Sequence, residues 1–394
     1  MYRMKSVLII EAQMKRYRAP FYACLSKALR ADGIRLTVAY SDPPPAEATK
    51  KDTCELPPEY GLRVKGYWFW PNRLLYQPLV RRAITSDLVV VDQGNRFLLN
   101  HLLLLLSRLG LRRVAFWGHA ENHSERRIHF SEWYRHKTLN WVSWWFAYTE
   151  ADARRLKLHG VPHSGITVVQ NALEIQEISS CVNSLTMENR DAVRARLGIT
   201  SPALIGVFCG ALNQAKSLPF LIEASRRVKA RVPAFQLIVI GGGAEEGAVK
   251  RLVKDLDWVH CVGPQFGREK AEILAVSDVF LLPGAVGLAV LDAFAAGLPI
   301  LTTRIPIHGP EIEYLEEGVN GLMTDPQPEA YAEAVSSVLS ADEHLNRLRA
   351  AAKASARQYS IENMVANFRI GIRLALGSQR WARKPHKELL VRSE

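Results

Sequence analysis

The chain reads as an α/β protein of two parallel-sheet domains, and three observations predict it. Short β-branched runs alternate with helix-period segments; the alternation stops across a polar stretch near residues 175–198 and then restarts; and 394 residues, at roughly 100–200 per domain, allow two sizeable cores.

"KSVLIIEA", "APFYACLSKALRADG" and "IRLTVAYS" read strand, helix, strand, a parallel βαβ opening. "SDLVVVDQG", a Leu-rich segment, "RRVAFWGH", "WWFAYTEADARRLKLHG" and "GITVVQNAL" continue the pattern and close a first domain over residues 1–180. The second, residues 199–360, begins with the strand "ALIGVFCGAL" and runs through "FQLIVIGGG", "WVHCVGP", "SDVFLLPG" and "LPILTT". Within it "SLPFLIEASRRVKAR" places Leu218, Leu221, Ile222 and Val228 on one helical face. Residues 361–394 are expected to add terminal helices that pack back toward the first domain, with Ser360 as N-cap.

Composition narrows the functional classes. Five cysteines show neither a CxxC pair nor Cys/His ligand spacing, which argues against a disulfide framework or zinc site. The amino-terminal apolar run, Val7 to Ile10, is too short for a signal peptide, so a cytoplasmic location is expected. "FLLNHLLLLLSRLGLRR" contains Asn100 and His101, falls short of the ~20 apolar residues of a membrane span, and is expected as a core helix. A net charge of +12 favours an anionic partner: phosphorylated substrate, acidic membrane surface or nucleic acid.

The candidate chemistry gathers where strands end, because parallel sheets bind ligands at the carboxyl ends of their strands. Gly210 ends the first strand of the second domain and Lys216 follows at the next helix mouth, where it serves either as a phosphate contact or as a surface charge. "PGAVGLAVLDAFAAG" runs from strand through turn to helix, so the amides of Gly287 and Leu288 can meet an anion. Asp292, one turn on, serves either to meet ribose hydroxyls or simply to cap or solvate the start of a helix. The glycines Gly241–Gly243 are a phosphate turn or a plain strand-to-helix turn. Glu311 and Glu313 read as helix-start residues. In the first domain His119 follows the strand-ending Gly118 and could orient a sugar hydroxyl or phosphate. Arg126, Arg127, Trp133, Tyr134, Arg135, Lys137, Trp141, Trp144 and Trp145 then mix cations with aromatics, which suits an anionic membrane surface or, absent that, a buried core. No nucleic-acid-binding module surrounds them, so nucleic acid is not the expected partner.

Together these motifs resemble the family 4 glycosyltransferases of the GT-B fold, of the bacterial exopolysaccharide, capsule and lipopolysaccharide type. "CGALNQAKSLPFLIEA", "VIGGGAEE", "SDVFLLPGAVGLAVLDAFAAGLPILTT" and "EEGVNGLM" carry the resemblance in the second domain; "YRAPFYACLSKAL", "WGH", "FAYTEADARRL" and "ITVVQNAL" carry it in the first. It implies two Rossmann-like domains facing each other across a cleft, and retaining transfer of a sugar from a nucleotide-diphosphate donor, itself a co-substrate, with no cofactor and no obligatory metal. The acceptor is expected to be lipid-linked or a surface glycan, with the enzyme peripheral on the inner face of the plasma membrane. By motif, Lys216 would hold the diphosphate, Asp292 the ribose, Gly287 and Leu288 the phosphates, and His119 would face the donor sugar. Gly210 would line the donor site. A sugar-nucleotide epimerase of the same fold and a non-catalytic nucleic-acid-binding scaffold are the competing readings.

Two departures stand out. Ala211 occupies a place where the family often has Arg, and Gly284 with Asp292 replaces a pair of Glu residues that have seven residues between them. Gly284 therefore reads as a missing sugar-side acid.

Overall fold

A computed structural model describes residues 3–44, 52–70, 73–119, 129–200 and 202–378. The first domain comprises β1 (Lys5–Gln13), α1 (Ala19–Ala31), β2 (Ile34–Ser41), β3 (Gly61–Arg63), β4 (Tyr67–Phe69), β5 (Leu74–Tyr76), α2 (Val80–Thr85), β6 (Leu88–Asp92), α3 (Leu98–Arg108), β7 (Val114–Gly118), α4 (His129–Thr138), β8 (Trp144–Ala147), α5 (Glu150–Leu158) and β9 (Ile166–Val168). Its seven-stranded sheet has the order β3-β2-β1-β6-β7-β8-β9 and every pairing is parallel, while β4 and β5 form a separate antiparallel pair. The runs Val7–Ile10 and Leu88–Val91 are buried throughout, as strands covered by helices on both faces must be.

The polar stretch between the sheets folds into α6 (Gln176–Ser184) and α7 (Met187–Arg196). Both pack on the second domain, where Ser179 donates to the Ala295 carbonyl and Arg190 to that of Ala275. That domain follows as β10 (Leu204–Cys209), α8 (Leu218–Arg231), β11 (Phe235–Ile240), α9 (Glu246–Leu252), β12 (Val259–Gly263), α10 (Gly267–Ala275), β13 (Val279–Leu281), α11 (Ala289–Ala295), β14 (Ile300–Thr303), β15 (Gly321–Thr324), α12 (Pro328–Leu339) and α13 (Asp342–Gln358). Its parallel sheet has the order β12-β11-β10-β13-β14-β15. The face of α8 read from the sequence is the buried one: Leu218, Leu221, Ile222 and Val228 lie in the core.

The last described element, α14 (Ile361–Gly377), begins at Ser360, whose hydroxyl accepts from the Asn363 amide. It packs on the first domain. Phe368 stacks on Phe146 with centroids 4.6 Å apart and meets Phe21 edge-on at 5.0 Å, while Arg369 forms a two-point ion pair with Asp32 at 2.5–2.6 Å.

The basic aromatic stretch divides. Trp144 and Trp145 are core residues whose indole N–H groups donate to Thr167 Oγ1 and the Leu139 carbonyl; Trp141 is half-buried under the Arg108 guanidinium; Trp133 is exposed. Arg126 and Arg127 lie outside the described residues. All five cysteines are free thiols. Among the described residues no helix is long and apolar enough to cross a membrane.

Candidate active site

Each sheet has one place where successive connections leave in opposite directions, and there a doubly wound sheet opens a crevice at its carboxyl edge. In the first domain this falls between β1 and β6, in the second between β10 and β13. Both crevices carry polar side chains.

The first-domain crevice is a cavity of about 160 Å³ walled by Glu11, Arg18, Asp92, Trp117 and Tyr148. Arg18, on the turn before α1, lays its guanidinium over Trp117 at 4.4 Å and donates to Asn171 Oδ1 at 2.9 Å and Tyr148 Oη at 3.4 Å. Glu11 accepts from Tyr22 Oη at 2.5 Å. Burial raises the pKa of both Glu11 and Asp92; the nearby Arg18 pulls Glu11 back, and Arg96 with Arg135 pulls Asp92 back. His119 follows β7 on this wall, its ring 4.6 Å from that of Tyr148 and its carbonyl bonded to Arg135.

The second-domain crevice brings Gly210, Lys216, the turn before α11 and Asp292 together. The loop after β10 folds back through a short 3-10 turn, Gln214–Lys216, and Ser217 closes it with a left-handed φ of 53°. Lys216 Nζ donates to the Ala285 carbonyl and the Ala285 amide donates to the Ala215 carbonyl at 2.7 Å, so the loop is latched to the turn by two bonds. Gly284 lies under that latch. A Cβ there would come within 2.4 Å of the Ala215 carbonyl oxygen and 2.5 Å of Lys216 Cα, so the backbone approach itself requires glycine.

The glycine run after β11 has a related role. A Cβ on Gly241 would meet the Gly210 carbonyl oxygen at 1.9 Å, and Leu212 exchanges backbone bonds with Gly242 and Glu245. Gly241–Gly243 thus supports the Gly210–Lys216 loop from behind.

Asp292, on α11, is buried, and its Oδ1 accepts from Lys270 Nζ of α10 at 3.0 Å. Burial disfavours the Lys270 cation, yet Asp292 outweighs it and the pKa of Lys270 is raised. Lys216, whose partial burial lacks so close a carboxylate, has a lowered pKa. The buried Cys209 thiol feels both lysines and Asp292, and burial pushes it up to about 12, so it is inert.

A buried polar chain joins the two crevices. Arg18 bonds Asn171, Asn171 Nδ2 donates to Glu311 Oε1 at 2.6 Å, and the charge of Glu311 acts on Lys216. Glu311 and Glu313 do lie in the first turn of a 3-10 helix, Pro310–Tyr314, but both reach across to the first domain: Glu313 accepts from the Ala151 amide at 2.9 Å and from Arg154 at 3.3 Å. Asp92, Asn171, Lys270 and Glu311 were not singled out by sequence reasoning as site residues. The signal that could have found Asp92 is its place at the end of a fully apolar strand, the same cue that marked His119.

Over this second crevice the chain is similar to a described family: residues 203–341 match the model for Glycosyl transferases group 1. A solved structure, Anabaena Alr3699/HepE in complex with UDP and glucose, superposes with a TM-score of 0.66 at 16% identity, covering 94% of this chain and 99% of that one. The fold is the GT-B fold. Among curated proteins, the D-inositol 3-phosphate glycosyltransferase of Corynebacterium urealyticum is 29% identical over 50% of this chain and 48% of its own length. The amylovoran biosynthesis glycosyltransferase AmsK of Erwinia amylovora is 28% identical over 46% and 42%. The chain thus spans about half the length of the curated relatives it matches. In GT-B terms, the first-domain cavity and the Lys216 latch are the two walls of the interdomain cleft.

Proposed function

We propose that this protein is a retaining glycosyltransferase of the family 4 type, which moves a sugar from a nucleotide-diphosphate-sugar donor to a lipid-linked or surface-glycan acceptor. The observation that carries the reading is the grouping of Lys216, the Gly287–Leu288 turn and Asp292 at the switch point of the domain that matches the group 1 model. The UDP and glucose held by the Anabaena protein, and the amylovoran biosynthesis named for the Erwinia relative, support the donor and acceptor classes respectively.

Transfer leaves negative charge on the departing diphosphate and positive character on the sugar ring, so fixed cations and amide dipoles at the diphosphate lower the barrier. In this reading Lys216 exchanges the Ala285 carbonyl for a phosphate oxygen, and the amides of Gly287 and Leu288 complete the phosphate contacts. Lys270 holds Asp292 by one carboxylate oxygen and leaves the other to the ribose. His119, from the opposite wall, orients the donor sugar, and the cavity of Glu11, Arg18 and Asp92 receives the acceptor hydroxyl. Cations and amides meet the diphosphate charge, so the reading calls for no obligatory metal.

The test is a panel of UDP-, GDP- and ADP-sugars offered to the purified chain. Calorimetry should find one nucleotide class that binds, and NMR of the product should show the donor's anomeric configuration retained. No binding by any donor overturns the enzyme reading; isomerised donor without an acceptor would make it an epimerase.

A further inference from the structure

Helix α3 carries more leucine than the first domain can cover. Leu99, Leu103 and Leu104 are buried against the sheet, but Leu102, Leu105 and Leu109 are 39, 48 and 54% exposed, and Leu111 beyond the helix is 51% exposed. Residues 102, 105 and 109 share one side of a helix, so the exposure is a stripe. Beside it, α4 is tied to α3 by a 2.7 Å bond between His101 Nδ1 and Tyr134 Oη, and contributes Trp133, 56% exposed.

Along the segment that carries the stripe the charge has one sign. From Gln93 to Ala120 the sequence has no Asp or Glu, while Arg96, Arg108, Arg112 and Arg113 fall within it. We propose that this face docks on a bilayer bearing anionic lipid headgroups, with Leu102, Leu105, Leu109 and Leu111 in the acyl boundary and Arg108 and Arg112 among the headgroup phosphates. A second copy of the chain is a poorer occupant, because a two-fold contact would set the same arginines against one another.

The dock also has a direction. Asn100 in the first turn of α3 donates to the Asp92 carbonyl at 2.8 Å, so the helix that meets the bilayer is bonded to the strand end that walls the first-domain cavity. The dock needs no nucleotide and stands apart from the donor reading.

Flotation with phosphatidylcholine vesicles, with and without phosphatidylglycerol, tests it in the full chain. Wild type should float with the mixed vesicles and stay behind with the neutral ones. Leu105→Asp with Leu109→Asp should lower the bound fraction more than tenfold. Arg108→Glu with Arg112→Glu should lower it at least fivefold for each arginine removed, each cation near the surface being worth about that factor. The same charge reversals at the exposed Arg251 and Lys254 of the second domain should leave flotation unchanged, and circular dichroism checks that each variant is folded. Equal binding to neutral vesicles, or leucine and arginine variants that float like wild type, overturns the proposal. So does a concentration-dependent dimer that Leu105→Asp dissolves while no vesicle is bound.

Discussion

Gly284 lies so close to Lys216 that a methyl group on it would sit 2.5 Å from the lysine Cα, and on the other side of this contact the lysine ammonium is bonded to the carbonyl of Ala285. The glycine and the lysine are two halves of one latch. A side chain at 284 would displace the loop that presents the cation.

Gly284→Ala is therefore expected to destabilise the protein by about 1–3 kcal/mol, in the range of an overpacked interior, and to weaken UDP binding at least tenfold. Gly284→Glu should do worse, although it restores the acid the family often carries. Urea unfolding and calorimetry check both; a gain of donor affinity in Gly284→Glu would show that the loop yields and that a sugar-side contact was what the chain lacked.

Lys216→Ala should lower transfer about 10²–10³-fold, the usual effect of removing one donor to a developing anion. The pH dependence has a definite sign. Only the ammonium form attracts a diphosphate, and burial lowers the Lys216 pKa from 10.5, so UDP affinity should fall as pH rises toward that value and begin falling below it. Lys216→Arg should remove this alkaline limb, because a guanidinium keeps its proton. A limb unchanged in Lys216→Arg would assign it to another group.

The ion pair of Asp292 and Lys270 makes a third expectation. Asp292→Asn leaves a largely buried ammonium without its counter-charge and should destabilise on the order of 2–3 kcal/mol, with Lys270→Met of similar cost and the double variant costing less than the sum. If Asp292 also holds the ribose, wild type should prefer UDP to its 2′-deoxy analogue and Asp292→Asn should lose that preference. Additive stability effects would deny the pairing.

Asn171→Leu cuts the Arg18–Asn171–Glu311 chain and takes a hydrogen-bond partner from each of two buried side chains, a loss expected on the order of 2–4 kcal/mol. The readout that separates it from a general core defect is transfer: kcat should fall while UDP affinity, set by the second domain, is kept.

The two sheets were legible in the sequence because most of their strands are short apolar runs, and Lys216, Asp292 and His119 were legible because each follows a strand end. The partners were not. Lys270 stands 22 residues before Asp292 with β13 between them, and Asn171 stands 140 before Glu311, separations at which no local pattern announces a bond. Gly284 reads as a missing acid until the packing of Ala215 and Lys216 above it is known. In α3 seven of the eleven positions are leucine and they stand on every side of the helix, so periodicity cannot tell which side faces out; the expected core helix proves to be buried on one face only.

One aromatic ring bears on how the cleft can move. The chain crosses between the domains twice, near Asn171 and again near Tyr359, and both crossings touch Tyr314: its hydroxyl donates to the Asn171 carbonyl at 3.0 Å, and its ring stacks on Tyr359 at 3.8 Å. Two covalent ties that meet at one side chain act as a single pivot. A motion that opened the cleft while keeping these contacts would turn about Tyr314 and part the domains most at the edge farthest from it.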